Sequence, residues 1–305
     1  MGFSLSLGIK SDPIEYRYDY TWLFHFLNDL DIRYVQLGSF FEMYWLEDGF
    51  FHELRENAER KNIRIKSAFT AHRELGGFVT GNPYLEKVTR TCYERYLEIG
   101  GILGLDYLGS NLGTVYLDKM ETKAAGLKCY IKHMKELLMQ AKEQGIKAMT
   151  VEPMSCSTEP PSYPDELLSL MKTFDDYHTQ HPDSTIPLRL CGDISHGVAN
   201  REGKVLHGNL ELFELEIPYM AEFHFKNTDA IFNSTFGFSD EENARGIIDL
   251  HEVKTLIETN TERWPVDDVV GYLELTHLKF GREYSDYKLE KILSDSLMAL
   301  KEVFR

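Results

Sequence analysis

Met220-Ala-Glu-Phe-His-Phe-Lys226 alternates strictly along its length. In an extended chain Glu222, His224 and Lys226 share one face, and Ala221, Phe223 and Phe225 share the other. Such a segment is a strand with one face under apolar cover and the other looking into a polar interior. Three further stretches read the same way: AMTVEPM (148–154), PLRLCGDISH (187–196) and VVGYLELT (269–276). Each ends in one ionisable residue, namely Glu152, Asp193 and Glu274, with His224 as the fourth. Taking these four as inward makes Thr150, Arg189, Cys191, Glu222, Lys226 and Tyr272 inward too, and leaves Val151, Phe223, Phe225, Leu273 and Leu275 to pack outward. A slip of one residue would bury the polar set under helices and turn the apolar set toward the site, so pattern and proposed site support each other.

Working outward, β-rich runs alternate with longer helical segments from one end to the other, as in a parallel sheet with crossover helices. Eight units are counted. Their strands fall near Phe3 to Ile9, Tyr34 to Ser39, Ile63 to Phe69, Tyr107 to Asn111, Ala148 to Met154, Pro187 to Ser195, Met220 to Lys226 and Val269 to Thr276. Between the fourth and fifth, Leu127, Ile131, Met134, Leu138 and Ala141 recur at helical spacing, and Gly145 follows as a stop. Leu289, Ile292, Leu293, Leu297, Leu300 and Val303 mark an eighth outer helix, and Arg189 and Glu222 are expected to pair inside the barrel. An open doubly wound sheet usually carries a glycine-rich loop after its first strand. Here that strand runs into Lys10-Ser11-Asp12-Pro13. The expectation is an α/β protein with one (β/α)8 TIM-barrel domain over residues 1–305, a length common for that fold.

Forty-nine acidic against 33 basic side chains give a formal charge of −16, a field that repels a phosphate backbone, so no nucleic-acid partner is expected. The four cysteines show no Cys-x-x-Cys pairing and read as reduced thiols. The amino terminus lacks a signal-peptide pattern and no stretch of about 18 apolar residues occurs, so a cytoplasmic protein with no membrane partner is expected. Aromatics near the barrel mouth, among them Tyr16, Phe40, Phe41, Tyr44, Trp45 and Phe50, leave room for a homo-oligomer.

Active sites of such barrels lie at the carboxyl ends of the strands, where Glu152, Asp193, His224 and Glu274 stand. One acid at a strand end is as readily a helix cap or an ion-pair partner. Three acids and an imidazole converging on one point repel one another and lose hydration unless a cation neutralises them. The mainly oxygen set suits Mn²⁺ or Mg²⁺, with Co²⁺ or Zn²⁺ also compatible.

At these residues the chain resembles the sugar phosphate isomerase/epimerase superfamily of xylose-isomerase-like barrels, which includes the ketose 3-epimerases. The resemblance runs over most of the chain and is motif-specific from Glu152 to Glu274. It implies that Glu152, Asp193, His224 and Glu274 bind one divalent ion and that Glu152 and Glu274 exchange a proton with the substrate from opposite faces. In Asp193-Ile-Ser-His196 the family's Asp-x-x-His makes His196 a substrate-contacting catalytic residue. Two departures bear on the substrate: Glu159 lies seven residues after Glu152 where the family has six, and Ala230 stands where the epimerases have Arg. Glu159, His72 and Lys226 are the expected substrate-binding residues, with Lys226 on a carboxylate, phosphate or developing enolate oxygen. Endonuclease IV, a distant relative, needs a His on the fourth strand and an Asp-x-His after the seventh; Ser110-Asn111 and Asn227 to Ile231 supply neither.

The function so implied is a metal-dependent isomerase or epimerase of a small ketose, ketose phosphate or related sugar, working by proton transfer through an enediolate. A metal-dependent decarboxylase of a 3-oxo sugar acid is the alternative, and a non-catalytic sugar-binding barrel a third. The expected partner in each case is a small sugar or sugar acid.

Overall fold

A computed structural model describes residues 2–70, 73–275 and 283–305. Eight parallel strands close into a barrel: β1 (Ser4–Lys10), β2 (Tyr34–Gly38), β3 (Arg64–Thr70), β4 (Tyr107–Ser110), β5 (Ala148–Val151), β6 (Leu188–Asp193), β7 (Met220–Phe225) and β8 (Asp268–Leu273). Closure comes from β8, which pairs with β7 on one side and β1 on the other, setting Tyr272 opposite His224 and Leu273 opposite Ile9. Each strand is followed by an outer helix: α1 (Tyr20–Asp29), α2 (Asp48–Arg60), α3 (Pro83–Leu103), α4 (Lys123–Glu143), α5 (Pro164–Gln180), α6 (Asn209–Glu216), α7 (Leu250–Thr259) and α8 (Leu289–Phe304). The (β/α)8 architecture and all eight strands thus match the alternation in the sequence. A small antiparallel hairpin, Val198–Ala199 with Val205–His207, sits between β6 and α6.

The helices bury the outward strand residues, and Val151, Phe223, Phe225 and Leu273 are wholly inaccessible. In α8 the expected stripe is buried at Leu289, Leu293, Leu297, Leu300 and Val303. In α4 the buried face is turned by about one position, because Tyr130 and Leu137 join Met134, Leu138 and Ala141 while Leu127 and Ile131 are only half-buried. No described helix is long and apolar enough to cross a membrane.

The barrel interior is filled by side chains, and Gly8 makes that filling possible: a Cβ there would lie 2.6 Å from the Tyr272 ring. The expected Arg189–Glu222 pair does not form. Arg189 turns to Asp175 of α5 at 3.2 Å, and Glu222, fully buried, accepts from the Thr150 hydroxyl at 2.9 Å. Burial pushes the Glu222 carboxyl up from its usual value, and its second oxygen, Oε2, is buried without a hydrogen-bond partner. Among the mouth aromatics Phe40 and Tyr44 are core, whereas Phe41 and Trp45 are exposed.

Candidate metal centre

The register of β6, β7 and β8 gathers three of the four site residues at the carboxyl end of the barrel. Asp193 is opposite His224, and His224 is opposite Tyr272, two residues before Glu274. Glu152 follows the last residue of β5. Their inward atoms are close: His224 Nδ1 lies 3.0 Å from Glu152 Oε1, 3.6 Å from Glu274 Oε2 and 4.0 Å from Asp193 Oδ2. All four donor atoms fall within 4.8 Å of one another. An ion with bonds of about 2.0–2.2 Å bridges atoms up to about 4.4 Å apart, so small shifts seat one.

The other half of each side chain is tied to an outer partner. Glu152 Oε2 accepts from Asn111 Nδ2 at 2.9 Å, and Asp193 Oδ1 accepts from the Ser195 amide and hydroxyl at 2.7 Å each. Glu274 Oε1 accepts from Lys10 Nζ at 2.6 Å, and His224 Nε2 donates to Gln36 Oε1 at 2.8 Å. With Nε2 committed to Gln36, Nδ1 is the ring nitrogen that faces the centre, where it donates to Glu152 Oε1 at 3.0 Å, and each carboxylate turns its second oxygen inward. Such outer contacts fix tautomer and orientation at metal sites. Asp193 Oδ2 is buried and has no hydrogen-bond donor, although the Lys226 ammonium stands 2.6 Å away. A buried acceptor aimed at three others is what an ion would satisfy.

A contrasting trio on the outer helices, Glu86, Cys129 and His133, is a hydrogen-bond network instead. Arg90, which can only donate, faces His133 Nδ1 at 3.5 Å, so Nε2 carries the proton and donates it to Glu86 at 2.8 Å. Its imidazole has no lone pair left to offer.

Two ammonium groups stand beside the centre. Lys10 is 1% exposed and also lies 3.4 Å from Asp12; Lys226 Nζ contacts Glu274 Oε2 at 3.0 Å as well as Asp193. Burial alone would raise the Glu274 pKa, but Lys10, Lys226 and His224 together outweigh it and hold the carboxyl well below its usual range. Burial opposes ionisation of Asp193 too, and the positive charge beside it reverses that, Lys226 foremost because the His196 ring accepts from that ammonium. The lysines respond in kind: burial disfavours both ammonium groups, and the surrounding carboxylates raise both pKa values nonetheless. His224 is likewise pushed up, Glu274 and Glu152 overcoming its burial.

Of the other expected site residues, His196 reaches the centre. Its Nδ1 donates to Pro153 O at 2.8 Å, its Nε2 lies 3.0 Å from Lys226 Nζ, and Asp193 Oδ2 is 3.5 Å away. Glu159 stands outside the four-residue cluster and accepts from Thr114 Oγ1 at 3.0 Å. His72 lies outside the described residues. Lys10, Gln36, Asn111 and Ser195 were not singled out from the sequence. Lys10 had a signal, because Ser4, Ser6, Gly8 and Lys10 alternate with Leu5, Leu7 and Ile9.

No sequence-family model matches the chain, nor does any curated protein sequence. Its structure is similar to that of a Rhodospirillum rubrum protein provisionally named a xylose isomerase, at 17% identity and a TM-score of 0.78, over 98% of this chain and 99% of that one. It is similar also to D-psicose 3-epimerase of Clostridium cellulolyticum H10, crystallised with D-tagatose (14% identity, TM-score 0.71, 98% and 99% covered). A third is the 3-keto-D-glucoside 4-epimerase of E. coli (12% identity, TM-score 0.65, 98% and 100% covered). The chain therefore has the fold of the xylose-isomerase-like TIM barrels, and its structural neighbours include sugar epimerases.

Proposed function

We propose that a barrel of this form, with four inward donor atoms at its carboxyl end, is a divalent-metal-dependent isomerase or epimerase of a small ketose, ketose phosphate or related sugar. The observation that carries the reading is the division of labour in each ligand side chain, one atom inward and the other anchored by Asn111, Ser195, Lys10 or Gln36. Glu152, Asp193, His224 and Glu274 would hold the ion, Mn²⁺ or Mg²⁺ by the hardness of the oxygen set. When bound, such an ion polarises a carbonyl and its neighbouring hydroxyl and so acidifies the C–H between them.

The chain's own residues do the rest. Glu152 and Glu274 directly follow β5 and β8, strands that lie on opposite sides of the β7 strand of His224, and serve as the pair that removes and returns the proton. Return to the same carbon from the other face is epimerisation, and return to the adjacent carbon is aldose–ketose isomerisation. His196, held by Pro153, and Lys226 beside it face the same space and bind the substrate oxygens. Glu159 is assigned to substrate binding, as is His72, which lies outside the described residues.

The buried ammonium of Lys226 favours one second reading. It suits the carboxylate of a 3-oxo sugar acid, whose loss of CO₂ leaves the same kind of enediolate. One assay decides: protein reconstituted with Mn²⁺ is incubated in deuterium oxide with ketoses, tetrulose phosphates and 3-oxo sugar acids, and both C–H exchange and CO₂ release are read. Exchange without CO₂ is the expected result, CO₂ release moves the assignment to the decarboxylase, and neither, with sugar binding retained, leaves a binding protein.

A further inference from the structure

Lys226 occupies an unusual place for a substrate-binding lysine. Its Nζ lies 2.6 Å from Asp193 Oδ2 and 3.0 Å from Glu274 Oε2, two of the three oxygens that face the centre, and is 7% exposed as a residue. The third inward oxygen, Glu152 Oε1, has His224 Nδ1 at 3.0 Å instead. The third contact of the ammonium, at 3.0 Å, is His196 Nε2, an acceptor because Nδ1 gives its proton to Pro153 O. The ammonium therefore spans the inner edge of the ligand set, with its stem rooted just beyond β7.

A divalent ion and an ammonium group cannot both hold Asp193 Oδ2 and Glu274 Oε2 without strong repulsion, which a buried site screens poorly. Lysine is also the cation best made for moving, since its charge is a compact point on a flexible four-carbon stem. Lys10 differs. It engages Glu274 through Oε1, the outward oxygen, and so does not compete with an ion for the inward one.

Resting on the metal reading above, we propose that Lys226 is a displaceable internal counter-ion: its ammonium neutralises Asp193 and Glu274 when no metal is bound and must leave both inward oxygens for an ion to enter. Metal affinity is thereby set below what four such ligands alone would give. Once displaced, the ammonium keeps His196 as its neighbour and is free to meet a substrate oxygen, so the ion binds before the substrate.

The test is calorimetric titration of Mn²⁺ alone, without sugar, into wild type, Lys226→Met and Lys226→Arg. Lys226→Met keeps the stem and removes the charge, and its affinity for Mn²⁺ is expected to rise by about tenfold or more. Lys226→Arg keeps the charge and should bind no tighter than wild type. A thermal melt of each protein with and without Mn²⁺ supplies the second readout, and the gain in Tm on adding metal should be larger for Lys226→Met. Should that variant fail to fold, Lys226→Gln takes its place with the same expectation. Equal affinities for wild type and the charge-removing variant overturn the counter-ion role and leave the metal reading standing. Absence of Mn²⁺ binding to every protein overturns the metal reading, and this inference with it.

Discussion

Replacing Lys10 by Met tests whether the anchors behind the ligands matter energetically. The substitution preserves the length of the stem and removes only the ammonium, which lies 2.6 Å from Glu274 Oε1 and 3.4 Å from Asp12 Oδ2. Both carboxylates are then left with a buried charge and one partner fewer. Removing one member of a buried ion pair costs roughly 3–5 kcal/mol. Total stability is of order 5–15 kcal/mol, so the loss is a large share, equivalent to a fall in Tm of roughly 5–10 °C for a chain of this length. Urea unfolding in the presence of a chelator measures it directly. The double variant Lys10→Met with Glu274→Gln should recover more than half of the loss, because the stranded charge is gone. The pH dependence carries the same signature. Glu274, held below its usual 4.5 in the folded state, contributes stability that is present above that value and lost as the pH falls through the folded one. Lys10, raised above 10.5, contributes stability that is complete below that value and lost as the pH rises through the folded one. The gap between wild type and Lys10→Met should therefore be widest near neutrality and narrow at both extremes. A single variant within about 1 kcal/mol of wild type at pH 7 would refute the claim that Lys10 holds Glu274 in place.

Gln36→Leu removes the acceptor at 2.8 Å that fixes His224, and loss of an outer-shell partner of this kind lowers metal affinity by about 10- to 100-fold, measurable by Mn²⁺ calorimetry. His196→Ala should lower rate or substrate affinity while metal content by elemental analysis stays near that of wild type, since the ring lies beside Asp193 without belonging to the cluster. Glu15 sits 7% exposed near the mouth and accepts from Tyr20 Oη at 2.7 Å. Burial, only partly offset by that bond, pushes its pKa from 4.5 to about 8. An acid raised in this way binds its proton more tightly when folded, so stability falls as the pH rises from about 5 to 8, and Glu15→Gln should flatten that slope in urea titrations across the range.

The sequence discloses the strands well for a physical reason. In a closed barrel every strand has an outer face under helices, so Phe223 and Phe225 had to alternate with Glu222 and His224, and the four site residues had to fall at strand ends. The anchors were less legible. Gln36, Ser195 and Asn111 are ordinary polar residues whose roles exist only once the barrel closes, bringing Gln36 of β2 to His224 of β7 across 188 positions of chain. Lys10 was legible in principle through the alternation of β1. Arg189 departs from the expected pairing because alternation fixes the face of a residue and not the partner that a long side chain reaches. Asp175 of α5 lies within reach of its long side chain, and Glu222 takes a hydrogen bond from Thr150 instead.

The two carboxylates assigned to proton transfer are not equivalent, and that asymmetry yields a prediction about single steps. Glu152 is anchored through its outer oxygen by a neutral amide, Asn111. Glu274 is anchored by an ammonium, Lys10, which engages its outward oxygen and so stays in place when an ion takes the inner one from Lys226. That positive partner withdraws charge from Glu274 and makes it reluctant to take a proton. Removal of a C–H proton on the Glu152 side should then proceed without help from Glu274, whereas net conversion needs both. In deuterium oxide, Glu274→Gln, checked for retained Mn²⁺, should keep C–H exchange with the substrate stereoisomer that presents its proton to Glu152 and lose interconversion. Glu152→Gln should lose exchange with that same stereoisomer. Mass spectrometry of recovered sugar distinguishes the two. If Glu274→Gln abolishes exchange with every stereoisomer while its metal remains bound, the proton does not leave through Glu152, and the division of roles between the fifth and eighth strands is wrong.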